Sequence, residues 1–121
     1  MSRAKQKGTS FERLIADGLA NALDDERIDR APLRGNADRG DISGLSNPHG
    51  KIAIECKNVT KFSLGTWVEQ AQTEAGNADA AAGVVVFKRP RKGKFEDQFV
   101  LMTMREFLTI GWGITDLGEN T

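Results

Sequence analysis

The sequence predicts an α/β fold in which a mixed β-sheet is flanked by helices. Apolar residues recur at helical spacing between residues 11 and 23, which is typical of an amphipathic helix. Residues 41–57 have the pattern of a β-hairpin, and residues 84–87 form the continuous apolar run of a buried strand. The predicted order is helix, three strands, helix, two strands, helix.

Length and composition indicate one globular domain that spans residues 1–121. Hydrophobic residues make up 39% of the 121 residues and charged residues 28%, and chains divide into domains only well above this length. No stretch approaches the roughly 20 apolar residues of a membrane helix. The single cysteine, Cys56, excludes an internal disulfide and suits a reducing compartment. We therefore expect a cytoplasmic protein without membrane contact.

The first helix is predicted to begin at Thr9 and to end near residue 23. Thr9 is a suitable N-cap, and Glu12 follows three residues later as in a capping box. Phe11 and Ile15 belong to its apolar stripe, and Glu12 lies at the edge of that stripe. Residues 1–8 would then form a basic arm outside the helix.

A short strand over residues 27–33 and a glycine-rich loop over residues 34–40 precede the hairpin. The hairpin pairs residues 41–45 with residues 51–57 around Asn47-Pro48-His49-Gly50. His49, the only histidine, lies in that turn, which favours a solvated residue over a general base.

The later elements alternate between helix and strand. They are predicted to span residues 66–77 (helix), 83–88 (strand), 95–102 (strand) and 103 to about 108 (helix), followed by a tail over residues 115–121 that can fray. Thr103 and Glu106 form a second possible capping box. Trp67 is expected to pack in its helix or at a dimer face rather than to stack on bases.

Asp41, Glu55 and Lys57 are predicted to lie together on one face of the hairpin. Glu55 and Lys57 are two residues apart on a strand, so they share a face, whereas Cys56 faces the core and is expected to pack there rather than act as a nucleophile. A turn centred on residues 48 and 49 places Asp41 opposite about residue 56. A slip of one residue would turn Asp41 to the other face.

This cluster has two interpretations from the residues alone. Adjacent carboxylates repel, and a hard divalent cation such as Mg²⁺ relieves the repulsion, polarises a phosphodiester and activates water. Lys57 would then orient that water or offset charge on phosphate oxygens. Glu12 would add a third carboxylate if its helix packs over this face. The alternative is an ordinary ion-pair patch on an exposed sheet face.

Four segments occur in an order that matches a known family. They are residues 5–14 (KQKGTSFERL), 30–32 (RAP), 40–42 (GDI) and 54–57 (IECK). Together they resemble the Holliday junction resolvases of the PD-(D/E)xK nuclease superfamily, closest to small phage-encoded members. The resemblance spans about residues 5–90 and includes the Val-Val-Phe-Lys strand.

The resemblance implies a restriction-endonuclease-like fold, a homodimer, and Mg²⁺- or Mn²⁺-dependent cleavage of branched DNA such as four-way junctions. The implied metal ligands are Glu12, Asp41, Glu55 and the backbone carbonyl of Cys56. Lys57 would assist the nucleophile, and Gln70 matches a polar position that several superfamily members keep near the site. Gly40 stands where the motif has proline. Asp38 competes with Asp41 for the metal position, and Asp41 is preferred because it begins the apolar strand.

DNA contacts are expected from the basic segments, although the formal net charge is zero. Arg34 and Arg39 flank the Asp41 strand and could fork onto phosphates, or they could be solvated loop residues. The predicted set is Arg3, Lys5, Lys7, Arg34, Arg39, Lys61, Lys88, Arg89, Arg91 and Lys92.

Three functions therefore compete. They are a homodimeric junction resolvase, the same chemistry on flaps, nicked or linear duplex, and a non-catalytic DNA-binding module. The complete set of Glu12, Asp41, Glu55 and Lys57 disfavours the third function. The short chain leaves little room for a domain that reads sequence, which favours structure-selective cleavage.

Overall fold

The structure, a computed structural model, describes residues 2–32 and 38–118 of the chain. Three helices occur in these ranges, α1 (Arg3–Leu23), α2 (Leu64–Asn77) and α3 (Met104–Trp112). The strands are β1 (Asp29–Arg30), β2 (Ile42–Ser43), β3 (Ser46–Asn47), β4 (Gly50–Lys57), β5 (Ala82–Phe87) and β6 (Phe99–Leu101). None of the described helices combines the length and the apolar character that crossing a bilayer requires.

The strands form one mixed sheet in the order β1-β2-β4-β5-β6, with β3 paired to β4. β4 and β5 are parallel and are connected through α2, whereas the other pairs are antiparallel. This architecture confirms the predicted α/β class and is consistent with a restriction-endonuclease-like fold.

Helices cover both faces of the sheet. On one face, Phe11 and Ile15 of α1 pack with Ile54 and Cys56 of β4. On the other, Trp67 of α2 belongs to a separate apolar cluster with strand β5, so its predicted packing role is confirmed. The alternation of β4 is therefore as predicted, with Glu55 on the α2 side.

α2 approaches β5 closely because position 83 has no side chain. A Cβ built on Gly83 would lie 2.1 Å from the carbonyl oxygen of Ala71. Ala71 and Ala75 provide the matching small surface of the helix, and both are buried. This close contact fixes the height of α2 above the sheet, and with it the position of Glu74.

The predicted N-cap at Thr9 is wrong. α1 begins at Arg3, and the hydroxyl of Ser2 caps it by accepting a hydrogen bond from the backbone N–H of Lys5 at 3.2 Å. The good helix formers at positions 3–7 allow the helix to extend back to this earlier cap. Residues 3–8, which were predicted to belong to a basic arm outside the helix, consequently form the first turns of α1.

The structure also corrects the predicted bounds of three other elements. The strand expected over residues 27–33 is only Asp29–Arg30, and residues 95–97 form a 3₁₀ turn rather than the start of β6. Phe95 in that turn packs against Gly18 of α1 and is not part of β6. α3 runs on to Trp112, while its predicted cap is confirmed, with Thr103 Oγ1 accepting from the N–H of Glu106 at 3.2 Å.

A β-bulge changes the register of the hairpin. Next to the turn, Ser46 pairs with Lys51, but farther along Ile42 pairs with Ile54, so between these pairs three residues on one side (43–45) lie opposite two on the other (52–53). Gly44 lies in this stretch with φ of +88°, and a Cβ there would be 2.2 Å from the carbonyl oxygen of Arg27.

The bulge decides which residue Asp41 faces. The predicted alignment of Asp41 with residue 56 is off by one. That prediction extended the register of the turn along the whole hairpin, which holds only where no bulge interrupts the pairing. With the bulge, Asp41 lies beside Glu55, on the face that carries the other polar residues of β4.

Candidate active site

Backbone contacts hold Asp41 firmly against β4. Its N–H donates to the carbonyl oxygen of Ile54 at 2.7 Å, and its Oδ2 accepts from the N–H of Cys56 at 2.7 Å. Gly40 precedes it with φ of +99°, and a Cβ there would lie 2.9 Å from the carbonyl oxygen of Ile54. Proline cannot adopt that φ, so the departure from the family motif has a structural reason.

Glu55 and Glu74 are buried carboxyl groups that face each other between β4 and α2. Their exposed fractions are 7% and 4%. Burial, followed by the contact with Glu74, raises the pKa of Glu55 to about 8, while Asp41 and Lys57 oppose the shift. Burial likewise raises the pKa of Glu74 to about 7. Two such groups cannot both be charged at low cost without a cation.

Asp41 shares this unfavourable environment. Burial, followed by the contact with Glu55, raises its pKa to about 7, although the N–H of Cys56 opposes the shift. Clustered carboxyl groups with raised pKa values are typical of functional sites.

Asp38 completes a compact acidic cluster with Glu55 and Glu74. One carboxylate oxygen from each lies within 4.8 Å of the other two. Asp38 is held against α2, because Asn77 Nδ2 donates to its carbonyl oxygen at 2.8 Å. Oε1 of Glu74 is buried and has no hydrogen-bond partner within residues 2–32 and 38–118. An all-oxygen cluster with an unsatisfied buried oxygen fits a hard divalent cation.

Glu12 reaches the site from α1. It lines a cleft of about 1050 Å³ together with Asp41 and Arg39. Its Oε1 accepts from Arg30 Nε at 3.2 Å. Burial and then the charge of Asp41 raise the pKa of Glu12. The structure thus brings Glu12 to Asp41, and it is not part of the cluster formed by Asp38, Glu55 and Glu74.

The other predicted site residues also lie close by. Lys57 ends β4, and its charge lowers the pKa of Glu55. Gln70 lines a cleft of about 310 Å³ with Asp38 and Glu74. Burial raises the pKa of the Cys56 thiol, which keeps it neutral and unsuited to nucleophilic attack.

Sequence reasoning missed Glu74. A signal was present, because Trp67, Ala71 and Ala75 form the buried stripe of α2 and Glu74 falls inside that stripe. A charged residue at a core-facing helix position is rare unless it is paired or binds a ligand.

The fold brings the two predicted basic segments together. Arg3 and Lys7 of α1 line one groove with Lys88 and with Asn58, which directly follows β4. Asn58 Nδ2 donates to the carbonyl oxygen of Lys7 at 3.4 Å. The groove is therefore next to the Lys57 end of the candidate site.

The remaining basic residues have different surroundings. Lys88 Nζ donates to the carbonyl oxygens of Arg89, at 2.8 Å, and Lys92, so its charge also orders the loop. The Arg89 guanidinium lies 5.3 Å from the centre of the Phe99 ring. Lys61, Arg91 and Lys92 are exposed, Lys5 and Arg39 line the large cleft, and Arg34 lies outside the described residues.

His49 lies in the turn between β3 and β4, as predicted, where its ring packs against Gly113. Since β4 separates this turn from Glu55, the position of His49 gives it no part in the acidic cluster.

Comparison with known protein families identifies a match over most of the chain. The family model described as phage putative PDDEXK endonuclease matches residues 3–113. No curated protein and no solved structure matches the chain.

Proposed function

We propose that this chain, which belongs to the phage putative PDDEXK endonuclease family, cleaves phosphodiester bonds in branched DNA with Mg²⁺ or Mn²⁺ as cofactor. Membership makes it a nuclease of the PD-(D/E)xK superfamily. The preference for four-way junctions, the homodimer and the identity of the metal are our proposals.

The observation that carries the proposal is the contact between Asp41 and Glu55. Glu55 is buried and Asp41 is half-buried, both have raised pKa values, and Asp41 lines a cleft together with Glu12 and Arg39. A surface ion-pair patch would be exposed and would have lowered acidic pKa values. This difference supports a cation site over the alternative of simple ion pairing.

Each residue has a proposed task. Glu12, Asp41, Glu55 and the carbonyl of Cys56 hold the cation, which when bound supplies Lewis acidity toward the phosphodiester. Lys57 orients the attacking water or offsets charge on the phosphate oxygens, and Gln70 helps to position polar groups at the site.

The basic groove supports binding of DNA next to the site. Arg3 and Lys7 can contact phosphates on one side, and Lys5 and Arg39 line the cleft on the other. Lys61, Arg89, Arg91 and Lys92 extend the basic surface. These contacts recognise backbone position rather than base sequence, which agrees with structure-selective cleavage.

A homodimer would supply two sites related by a two-fold axis, as symmetric nicking of a four-way junction requires. α3 offers an apolar surface for a second copy. Met104, Phe107 and Trp112 are exposed, and the Phe107 and Trp112 rings are 5.2 Å apart. We place the activity in the cytoplasm of the phage host.

A cleavage panel tests this function. Purified protein is incubated with a four-way junction, a flap, a nicked duplex and a linear duplex, with Mg²⁺, with Mn²⁺ and with excess EDTA. We expect metal-dependent cutting with the junction preferred. Equal or better cutting of linear duplex would favour a different target, and binding without cutting in any metal would favour a non-catalytic module.

A further inference from the structure

We infer that Asp38, Glu55 and Glu74 form a cation site on the α2 side of β4, in which Glu74 is a ligand from outside the recognised motif. The use of this cation in cleavage rests on the proposed function. Binding of the cation needs no DNA and can be tested separately.

The spacing of the three carboxylates fits one cation. Their nearest oxygens lie within 4.8 Å of one another. Oxygen ligands at about 2.1–2.5 Å from Mg²⁺, Mn²⁺ or Ca²⁺ lie about 3–5 Å from each other around the ion. The cluster can therefore close on a cation with small side-chain adjustments.

Glu74 is the acid that most needs a ligand. Its Oε1 is buried without a hydrogen-bond partner in the described part of the chain, and its side chain is 4% exposed. A buried carboxylate oxygen without a hydrogen-bond partner destabilises the folded protein unless a ligand satisfies it. Other acids of the site are better satisfied, since Asp41 accepts from the Cys56 N–H and Glu12 from Arg30.

The surrounding structure holds Glu74 in this position. It lies between Ala71 and Ala75 on the face of α2 that packs closely on Gly83, so the helix cannot withdraw the side chain to solvent without breaking that packing. Asp38 is fixed from the other side by Asn77 of the same helix. Rigid placement of ligands is what a specific metal site requires.

Mn²⁺ binding to the DNA-free protein tests the inference. Bound and free Mn²⁺ are separated by electron paramagnetic resonance for the wild type, Glu74→Gln and Asp38→Asn. The matched control is Glu69→Gln, which removes one negative charge from the same helix and the same cleft but lies outside the cluster. We expect each cluster variant to bind Mn²⁺ at least about tenfold more weakly, and the control to change affinity about twofold or less.

An unchanged Mn²⁺ affinity in Glu74→Gln would overturn the inference, as would an equal loss in Glu69→Gln. Circular dichroism checks the fold of each variant. If Glu74→Gln does not fold, Asp38→Asn decides the question, because Asp38 is exposed and its replacement leaves the core intact.

The inference and the proposed function fail in different ways. A wild type that binds Mn²⁺ through this cluster but cuts no DNA would overturn the function alone. A wild type that cuts DNA while Glu74→Gln keeps its Mn²⁺ affinity would overturn the inference alone.

Discussion

The carboxylate of Asp41 accepts a hydrogen bond from the backbone N–H of Cys56, with 2.7 Å between Oδ2 and N. This bond connects the residue directly before β2 to β4, the strand that carries Glu55. It stabilises the charged form of Asp41, while burial and Glu55 favour the neutral form. The site thus combines a rigid carboxylate with an electrostatic environment that a cation would relieve.

Replacement of Glu55 should separate cleavage from DNA binding. Glu55→Gln keeps the shape of the side chain but removes its charge, and Glu55→Ala removes the ligand altogether. We expect both to lower the cleavage rate at least about 100-fold, since charge-stabilising groups contribute on that scale. Junction affinity in a gel-shift assay should stay within about threefold, because the basic groove is untouched. If junction affinity fell together with the cleavage rate, Glu55 would have a structural role rather than a catalytic one.

The metal-free protein should lose thermal stability as pH rises. Asp41, Glu55 and Glu74 have folded pKa values of about 7, 8 and 7, above their ordinary values of 3.8 and 4.5. Between about pH 4.5 and 8 the folded protein therefore holds protons that the unfolded chain has released, so the free energy of unfolding falls with increasing pH.

Melting curves in EDTA at several pH values between 5 and 8 measure this effect. Saturating Mn²⁺ should reduce the fall, because the cation binds the charged carboxylates. Asp25 does not interfere, since its pKa is lowered to about 2 and its contribution is lost only at more acidic pH. A melting temperature that stays level or rises in EDTA would contradict the prediction.

Gly44→Ala should destabilise the protein and weaken cleavage together. The residue has φ of +88°, and the new Cβ would collide with the Arg27 carbonyl oxygen at 2.2 Å. Urea unfolding should show a loss of about 1–3 kcal/mol. Cleavage should fall because the bulge aligns Asp41 with Glu55.

Gly76→Ala is the control for this substitution. Gly76 lies in α2 and a Cβ there meets nothing within 4 Å. Alanine should stabilise the helix by about 0.5–1 kcal/mol. If Gly44→Ala were as benign as this control, the bulge would not require glycine.

Replacement of two positively charged side chains in the basic groove should weaken DNA binding without a large effect on the fold. Arg3→Ala combined with Lys7→Ala should lower junction affinity and reduce the slope of log affinity against log salt by about 2. Lys51→Ala serves as the control, because Lys51 lies at the opposite end of β4 from Lys57. An equal effect of Lys51→Ala would indicate a diffuse charge effect.

Phe107→Asp should dissociate the proposed homodimer. A charge at the centre of the apolar surface of α3 would have to be desolvated on association. Light scattering after size exclusion should give twice the chain mass for the wild type and the chain mass for the variant. Leu23→Asp changes another exposed apolar residue, at the end of α1, and should leave the dimer intact. A monomeric wild type would contradict the homodimer.

The sequence alone predicted the fold class, and it predicted several residues of the candidate site. The period-2 alternation of β4 placed Glu55 and Lys57 on one face, and the apolar run Val84–Val85–Val86 identified the buried strand. Local chemistry also predicted the turn at Pro48 and His49, because turn geometry depends on adjacent residues.

Only the tertiary structure decided the register and the acidic neighbours. Gly44, in the bulge, lies against the carbonyl of Arg27, which is distant in the chain, and the bulged register sets Asp41 beside Glu55 rather than beside the predicted residue 56. Glu74 joins the site because Gly83 lets α2 pack tightly on β5, a contact between separate elements that no local pattern encodes. Periodicity specifies which face a residue occupies, whereas packing between distant segments specifies what it meets there.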